Sequence, residues 1–487
     1  MPIIGANVET LTEEEFNKVF SEPKFPILIG KSLYDRSQKI HLDVNKLIPS
    51  HIGIFGNTGS GKSNTLSKIL KEYINIIKNN SFDNSKILIF DLNNEYGGNA
   101  ITSLEDKKIF KPTTRREMNE EDKIPFNYNE LTYEEMGVIL NATEKTQMPV
   151  IKKAFDKFKS EWTDESNNNV INAIKNMLVN KDYYMFFLIR KYLGDKITGI
   201  SDIKYHYKAN AFYYDANSFI NEYGDIRDIS FSIQPDNRLE RFEVELIMQI
   251  ISQSESGTNF EFVSPLLARM ENRKNDFKKI FKNSTTESYN DLFSENNIVV
   301  MQLANVNKDT REIIPSLFSK KLYDSQKEEK DDTEIKSILN IVIDEAHNLL
   351  SKDEENPGLH SNTLKVFEEL IKEGRKFGVY LLISSQRPSD ISNTITSQLH
   401  NYFIHKLVNP NDIEKIRKTV SFMSDITLNM LTMLGQGECI VSGVSLYMPQ
   451  YVCVDELDDE NKPYSNDVIL LGEKGILKSE QDNRNVE

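Results

Sequence analysis

Residues 51–66 read HIGIFGNTGSGKSNTL. The apolar run Ile52, Gly53, Ile54, Phe55 predicts a short buried strand. After it, Gly56, Asn57, Thr58, Gly59, Ser60, Gly61, Lys62 and Ser63 spell a complete G-x-x-x-x-G-K-S loop. Leu66, Ile69, Leu70, Tyr73 and Ile76 then mark one face of a helix. Strand, loop and helix in that order are the context in which this pattern holds phosphate. Glycines let the backbone curl around phosphate oxygens, and the amides of a helix N-terminus point inward. Lys62 can reach the β- and γ-phosphates, and the Ser63 hydroxyl can ligate Mg²⁺. Positions 56 to 63, with Asn64, are therefore the candidate contacts to a nucleoside triphosphate. A chance glycine-rich turn is the plain alternative, and it does not account for every fixed position falling in order.

Composition sets the frame. The chain has 487 residues, 39% hydrophobic and 27% charged. That length exceeds one hydrophobic core, so two or three structural units are expected. A formal charge of −15 argues against a surface coated in basic groups, while leaving room for a local basic channel. The only cysteines, Cys439 and Cys453, are too few for a disulfide framework and read as buried free thiols. No apolar stretch is long enough to span a membrane and no secretory leader pattern is present, so a cytoplasmic protein is expected.

Outward from the loop, the chain divides into five stretches. Residues 1–48 hold two strand-like runs, ILIGK at 27–31 and KIHLD at 39–43, too few for an independent barrel. Residues 49–103 carry the loop and a second buried strand, KILIFD at 86–91, which places Asp91 and Glu95 at a strand carboxyl end. For Glu95, a functional role and a solvated loop carboxylate stand side by side. Residues 104–296 are mostly of helical period, with a small hairpin near 211–219. Within them, 269–282 is rich in Arg and Lys with Phe277 and Phe281 interleaved. It reads as a solvated amphipathic helix or, more sharply, a nucleic-acid contact. Residues 297–455 return to buried strands alternating with helices, and 327–334 reads as a surface linker. Residues 456–487 read as an acidic, turn-rich arm, extended or partly disordered. Strands alternating with helices predict an α/β fold with a mostly parallel, doubly wound sheet.

ATP hydrolysis needs a held Mg²⁺, an oriented water and compensation for charge on the phosphoryl oxygens. The strand-like run 338–343 ends in Asp344 and Glu345. Asp344 is placed to hold the Mg²⁺ shell, and Glu345 to orient or deprotonate water. His347 follows without a second His or Cys at ligand spacing, so it reads as structural or coupling. Gln386 ends the next strand and can sense the γ-phosphate through its amide. Between them, Arg375 and Lys376 close a helix, where either caps the dipole or reaches a neighbouring subunit's nucleotide.

Taken together these pieces resemble the HerA branch of the HerA/FtsK ATPases. The matching residues are 51–64, the Asp91 to Tyr96 segment, KIPF at 123–126, the 343–347 strand end, 373–378, Ser385-Gln386-Arg387-Pro388 and 437–449. The resemblance implies a RecA-like P-loop NTPase core, and this chain departs from it in two places, with the family's N-terminal barrel reduced to a remnant and the helical insertion enlarged or divergent. It implies ATP and Mg²⁺ as cofactors, with Lys62, Ser63, Asp344, Glu345 and Gln386 acting in cis. Arg375 becomes the trans finger of a homo-hexamer that passes double-stranded DNA through its pore. The short N-terminus and divergent insertion imply an effector partner, a nuclease or a sirtuin-like NADase, as in bacterial antiphage systems. The competing expectation is an ATPase scaffold that switches such an effector without processive movement. A metabolic P-loop kinase fits less well, because the Gln386 strand end is present and no acceptor lid is evident.

Overall fold

The fold is seen in a computed structural model, which describes residues 12, 15, 23–80, 84–158, 162–215, 218–226, 229–235, 238–255, 260–283, 292–330, 334–352, 359–420, 423–464, 468–472 and 475–478. One large sheet is built from β1 (Pro26–Ser32), β2 (Lys39–Asp43), β3 (Ile52–Phe55), β4 (Ser85–Asp91), β5 (Lys108–Phe110), β6 (Ile298–Gln302), β7 (Ile338–Ile343), β8 (Val379–Ser385), β9 (Asn401–His405), β10 (Glu438–Gly443) and β11 (Gln450–Val454). Their order across the sheet is β2-β1-β11-β10-β9-β3-β8-β7-β4-β6-β5. From β9 to β5 every pairing is parallel, and from β9 to β2 every pairing is antiparallel. β3, β6, β8 and β9 are buried at every position. That burial is why they read as continuous apolar runs and not as alternation.

The principal helices are α1 (Lys62–Asn79), α2 (Tyr133–Ile139), α3 (Met148–Phe158), α4 (Asp164–Val179), α5 (Tyr183–Leu193), α6 (Arg238–Glu255), α7 (Pro265–Ile280), α8 (Lys308–Glu329) and α9 (Leu359–Glu373). The chain separates into two compact units, 1–124 with 288–487, and 125–287. The first holds the sheet, and residues 104–124 enter it through β5 as an edge strand beside β6. β1 and β2 join the same sheet as its antiparallel edge, against β11. The second unit is mainly helical. Phe155, Phe158 and Phe242 cluster at its core, where α3 meets α6, with ring centroids 5.3–6.2 Å apart.

The described structure bears out the amphipathic helix expected at 269–282, though not as a fully solvated one, and corrects two other expectations. The basic stretch 269–282 is α7 running into a short strand, and its key cations face protein groups. Arg273 is buried and donates to the Ile139 carbonyl at 3.3 Å, while Lys274 bonds buried Glu243 at 2.9 Å. Charge count did not reveal that Lys274 meets a carboxylate on α6. The linker expected at 327–334 is helix up to Glu329, anchored by Lys327 on Glu369 at 3.4 Å. Beyond β11, the described part of 456–487 is not an extended arm but a strap. Asn64 Nδ2 donates to the Asp455 carbonyl at 3.1 Å and Asn64 Oδ1 accepts from Leu457 N at 3.3 Å. Tyr464 N donates to the Glu95 carbonyl at 2.8 Å. Val468–Gly472 and Gly475–Lys478 pair antiparallel, and 465–467, 473–474 and 479–487 lie outside the described residues.

Candidate active site

The carboxyl ends of β3, β8, β7 and β4 are neighbours in the sheet, so four segments distant in sequence deliver side chains to one edge. From β3 comes the glycine loop. Gly59 and Gly61 take φ of 72° and 105°, the left-handed region in which a side chain is strained. A Cβ on Gly59 would meet open space, whereas one on Gly61 would lie 2.9 Å from Gly437 N. The loop is held from both sides: Asn57 N donates to Lys406 O at 2.9 Å and Gly437 N donates to Ser60 O at 3.0 Å. Ser60 Oγ and Lys62 Nζ both donate to the Asn57 carbonyl, at 2.7 and 3.1 Å. Burial lowers the pKa of Lys62, and the charges of Glu345, Asp344 and Glu95 oppose that shift. Asn64 is turned away, its amide committed to the strap.

From β7 comes the carboxylate pair. Asp344 is 2% exposed; its Oδ1 accepts from Glu345 N and its Oδ2 from the Tyr96 hydroxyl, both at 3.0 Å. Burial, and then the Glu345 charge, raises the Asp344 pKa. Glu345 holds a left-handed φ of 49° two residues past the end of β7, a strained position of the kind that clusters at functional sites. Its Oε2 is buried without a hydrogen bond, 3.3 Å from His347 Nδ1. Its Oε1 accepts from Gln386 Nε2, and Gln386 Oε1 in turn accepts from the Thr58 hydroxyl. Gln386, from the end of β8, thus bridges the glycine loop to the acidic pair. His347 Nδ1 lies 3.3 Å from Ser385 Oγ, so its ring is a neighbour of the site.

Two groups at this edge were only half visible in the sequence. Asp91, fully buried at the end of β4, accepts from Glu95 N and Tyr96 N, each at 2.9 Å, and from Gln302 Nε2 at 3.2 Å. It folds the loop that carries Tyr96 to Asp344 and Glu95 towards Ser63. Burial, and next the charge of Asp344, pushes the Glu95 pKa up to about 7, against hydrogen bonding from Ser63 and Asn93. His405 at the end of β9 was missed altogether. A Cβ on Gly56 would lie 2.5 Å from His405 Cβ, and His405 Nε2 bonds Thr65 Oγ1 at 2.9 Å. The only signal was its place at the end of an apolar run.

Arg375 is elsewhere. It is exposed in the turn Gly374–Phe377, which precedes the amino end of β8. Its charge reaches His51, His400 and Tyr380, which lie at or near the amino ends of β3, β9 and β8. Gln386 and the glycine loop are at the opposite ends of the same strands.

The arrangement fits a nucleoside triphosphate with Mg²⁺. It offers an amide-lined turn, a buried amine, a hydroxyl beside buried carboxylates, and a glutamate oxygen with no hydrogen bond. Among the described residues no cluster of three or more His, Cys, Asp and Glu side chains forms a metal cage.

The profile described as "Helicase HerA, central domain" matches residues 27–322, and "Helicase HerA-like C-terminal" matches 315–454. The "DNA double-strand break repair helicase HerA" of Sulfurisphaera tokodaii is 28% identical over 98% of this chain and 78% of its own length. Its namesake in Sulfolobus acidocaldarius is 26% identical over 99% and 78%. Among solved structures, VirB4 of Thermoanaerobacter pseudethanolicus aligns over 90% of this chain and 100% of its own, with a TM-score of 0.50 at 11% identity. The conjugative coupling protein TrwB aligns over 91% and 92%, also with a TM-score of 0.50. These two likenesses show the fold, a P-loop NTPase with a large, mostly parallel sheet. A profile spanning more than half of the sequence, with relatives aligned along nearly all of this chain, shows that it belongs to the HerA helicase family.

Proposed function

We propose that the chain is one subunit of a ring-shaped, Mg²⁺-dependent ATPase that moves along or unwinds double-stranded DNA. The observation that carries the reading is the bridge Thr58–Gln386–Glu345, which ties the phosphate loop to the acidic pair of β7. Bound ATP and Mg²⁺ supply the scissile phosphoanhydride and the charge that polarises it. The loop amides and Lys62 hold the phosphates, while Ser63 and Asp344 hold the metal. Glu345 takes the proton of the attacking water through its unbonded Oε2, and Gln386 fixes its other oxygen. Arg375, too far along the strands to serve its own loop, serves the loop of the next subunit in a hexamer. The HerA relatives are named as DNA double-strand break repair helicases, which supports DNA as the track. An effector nuclease or sirtuin-like NADase, in phage defence or DNA processing, is the expectation that the family resemblance adds, and co-purification with such an enzyme tests it.

Subunit mixing tests the shared site. Arg375→Ala and Lys62→Ala proteins are each expected to be nearly inactive. Mixed rings contain some interfaces with both residues intact, so activity returns in part. Assembled, exchanging rings that recover no activity exclude Arg375 as the trans residue. Hydrolysis left unchanged by duplex DNA, with no DNA binding at low salt, favours the scaffold reading instead.

A further inference from the structure

We propose that the outer face of the small sheet in the second unit is a stacking platform for single-stranded nucleic acid. This goes beyond the ATPase reading and does not depend on it. The sheet consists of Lys204–His206, Ala211–Asp215 and Ser218–Ile220, all antiparallel. Its register pairs Lys204 with Tyr213, Tyr205 with Phe212, and Phe219 with Tyr213. Because side chains alternate, Tyr205, Phe212 and Ile220 share the inner face, where Phe212 packs on Phe186 of α5 at 4.8 Å. Lys204, His206, Tyr213 and Phe219 share the outer one.

That outer face is aromatic where solvent-facing strands are ordinarily polar. The rings of His206, Tyr213 and Phe219 form a trio with centroids 5.8–6.3 Å apart. Phe219 is 38% exposed and His206 is exposed. His206 Nδ1 accepts from Ala209 N at 3.0 Å, which fixes the ring. Tyr207 is not part of this trio: its ring groups with those of Tyr205 and Tyr183, and its hydroxyl shares a hydrogen bond of 2.7 Å with that of Tyr183. Lys204 and Lys208, both exposed, flank His206 on the same strand and the turn after it. Neither enters an ion pair among the described residues.

Aromatic rings on an open sheet, with cations beside them, are what unpaired bases and their phosphates require. Duplex DNA hides its base faces and cannot use the rings. Charge complementarity selects the same occupant, since the flanking groups are lysines. The reading therefore commits to an unpaired strand, with bases on Phe219, Tyr213 and His206 and phosphates on Lys204 and Lys208.

The test uses the full chain without nucleotide at low salt, with a labelled oligothymidylate of about 16 nucleotides, the upper end of known site sizes. A duplex of equal length is measured in parallel. Phe219→Ala and His206→Ala should each weaken single-strand binding roughly tenfold, with duplex binding and basal hydrolysis unchanged. Phe219→Tyr should restore it. Lys204→Gln with Lys208→Gln should lower the slope of log K against log salt by about 1.4, or 0.7 for each phosphate contact. The lysine pair is exposed, so it carries the test even if an alanine variant fails to fold. Single-strand affinity and salt slope unchanged in all variants would overturn the proposal. So would variants that keep DNA binding yet lose a co-purifying protein, which makes the face a protein-docking surface. A chain without ATPase activity that still shows the ring-dependent binding would sink the proposed function and leave the platform standing.

Discussion

Replacing Tyr96 by Phe isolates one contact that organises the acidic edge. Tyr96 is fully buried and its hydroxyl is 3.0 Å from Asp344 Oδ2. Phenylalanine keeps the ring, so no cavity beyond one oxygen opens. The variant loses one hydrogen bond to a buried carboxylate, which contributes about 1.5–3 kcal/mol when the acceptor is charged. Asp344 keeps the Glu345 N–H at 3.0 Å, which places the expected loss near the lower end, about 1.5–2 kcal/mol. A second effect follows from the same geometry. Burial already raises the Asp344 pKa, and the Tyr96 hydrogen bond lowers it. Without that donor the carboxyl holds its proton to higher pH, and a proton there competes with Mg²⁺. Urea unfolding should therefore show the stability loss, and ATPase titrations should show a raised Mg²⁺ requirement that is larger at pH 6.5 than at pH 8. A stability change under about 0.5 kcal/mol with an unaltered Mg²⁺ requirement at both pH values would refute the reasoning.

Glu345→Gln should bind ATP as tightly as the parent but hydrolyse it at least a hundredfold more slowly, as loss of a positioned base costs about 10²–10⁴; filter binding beside a phosphate-release assay separates the two. Gly98→Ala should destabilise by about 1–3 kcal/mol, because its Cβ would sit 1.7 Å from the Tyr464 hydroxyl at a φ of 51°; thermal unfolding of this variant beside Tyr464→Ala reads whether the strap is the cause. Glu243→Ala should cost about 3–5 kcal/mol, since Lys196 and Lys274 lose a partner that is 1% exposed. His51 and His405 are both held at pKa values of about 3, mainly by burial. A depressed folded pKa means stability that is present above the unfolded value of 6.5 and lost as pH falls towards 3. Denaturation curves between pH 6 and 4 should fall by about 1.4 kcal/mol per pH unit for each histidine, and His405→Asn should remove one such contribution.

Local chemistry was the most legible part of this chain. The loop and β3 follow from sixteen adjacent residues and α1 from the apolar face that runs on to Ile76, and Asp344, Glu345 and Gln386 each follow an apolar run that could only be a covered strand. The opposite placement of Arg375 followed from strand direction alone. Contacts closed by the sheet were not legible. Tyr96 meets Asp344 across 248 residues, and nothing near either position announces the other. α8 escaped notice because it is buried nearly all round, at Ile313, Ile314, Leu317 and Phe318 and also at Pro315 and Ser316, so it lacks the single stripe that marks an amphipathic helix. α7 was legible as an amphipathic helix, but the partners of its cations were not, since a lysine's partner is set by packing and not by its neighbours in sequence.

The sheet order also bears on how the molecule comes into being. β3 lies between β8 and β9, whose first residues are Val379 and Asn401. The loop it carries is pinned by Lys406 and Gly437, and the helix after it by Asp455. A ribosome has therefore made the glycine loop some three hundred residues before either strand that flanks β3 exists. Until then β3 has no strand to pair with, and pairing so distant in sequence is slow to form. The nucleotide cradle is thus among the last features to mature. A chain interrupted before residue 455 would contain every motif of the phosphate loop and still lack the walls that shape it. Nucleotide binding would then report that synthesis had passed that point.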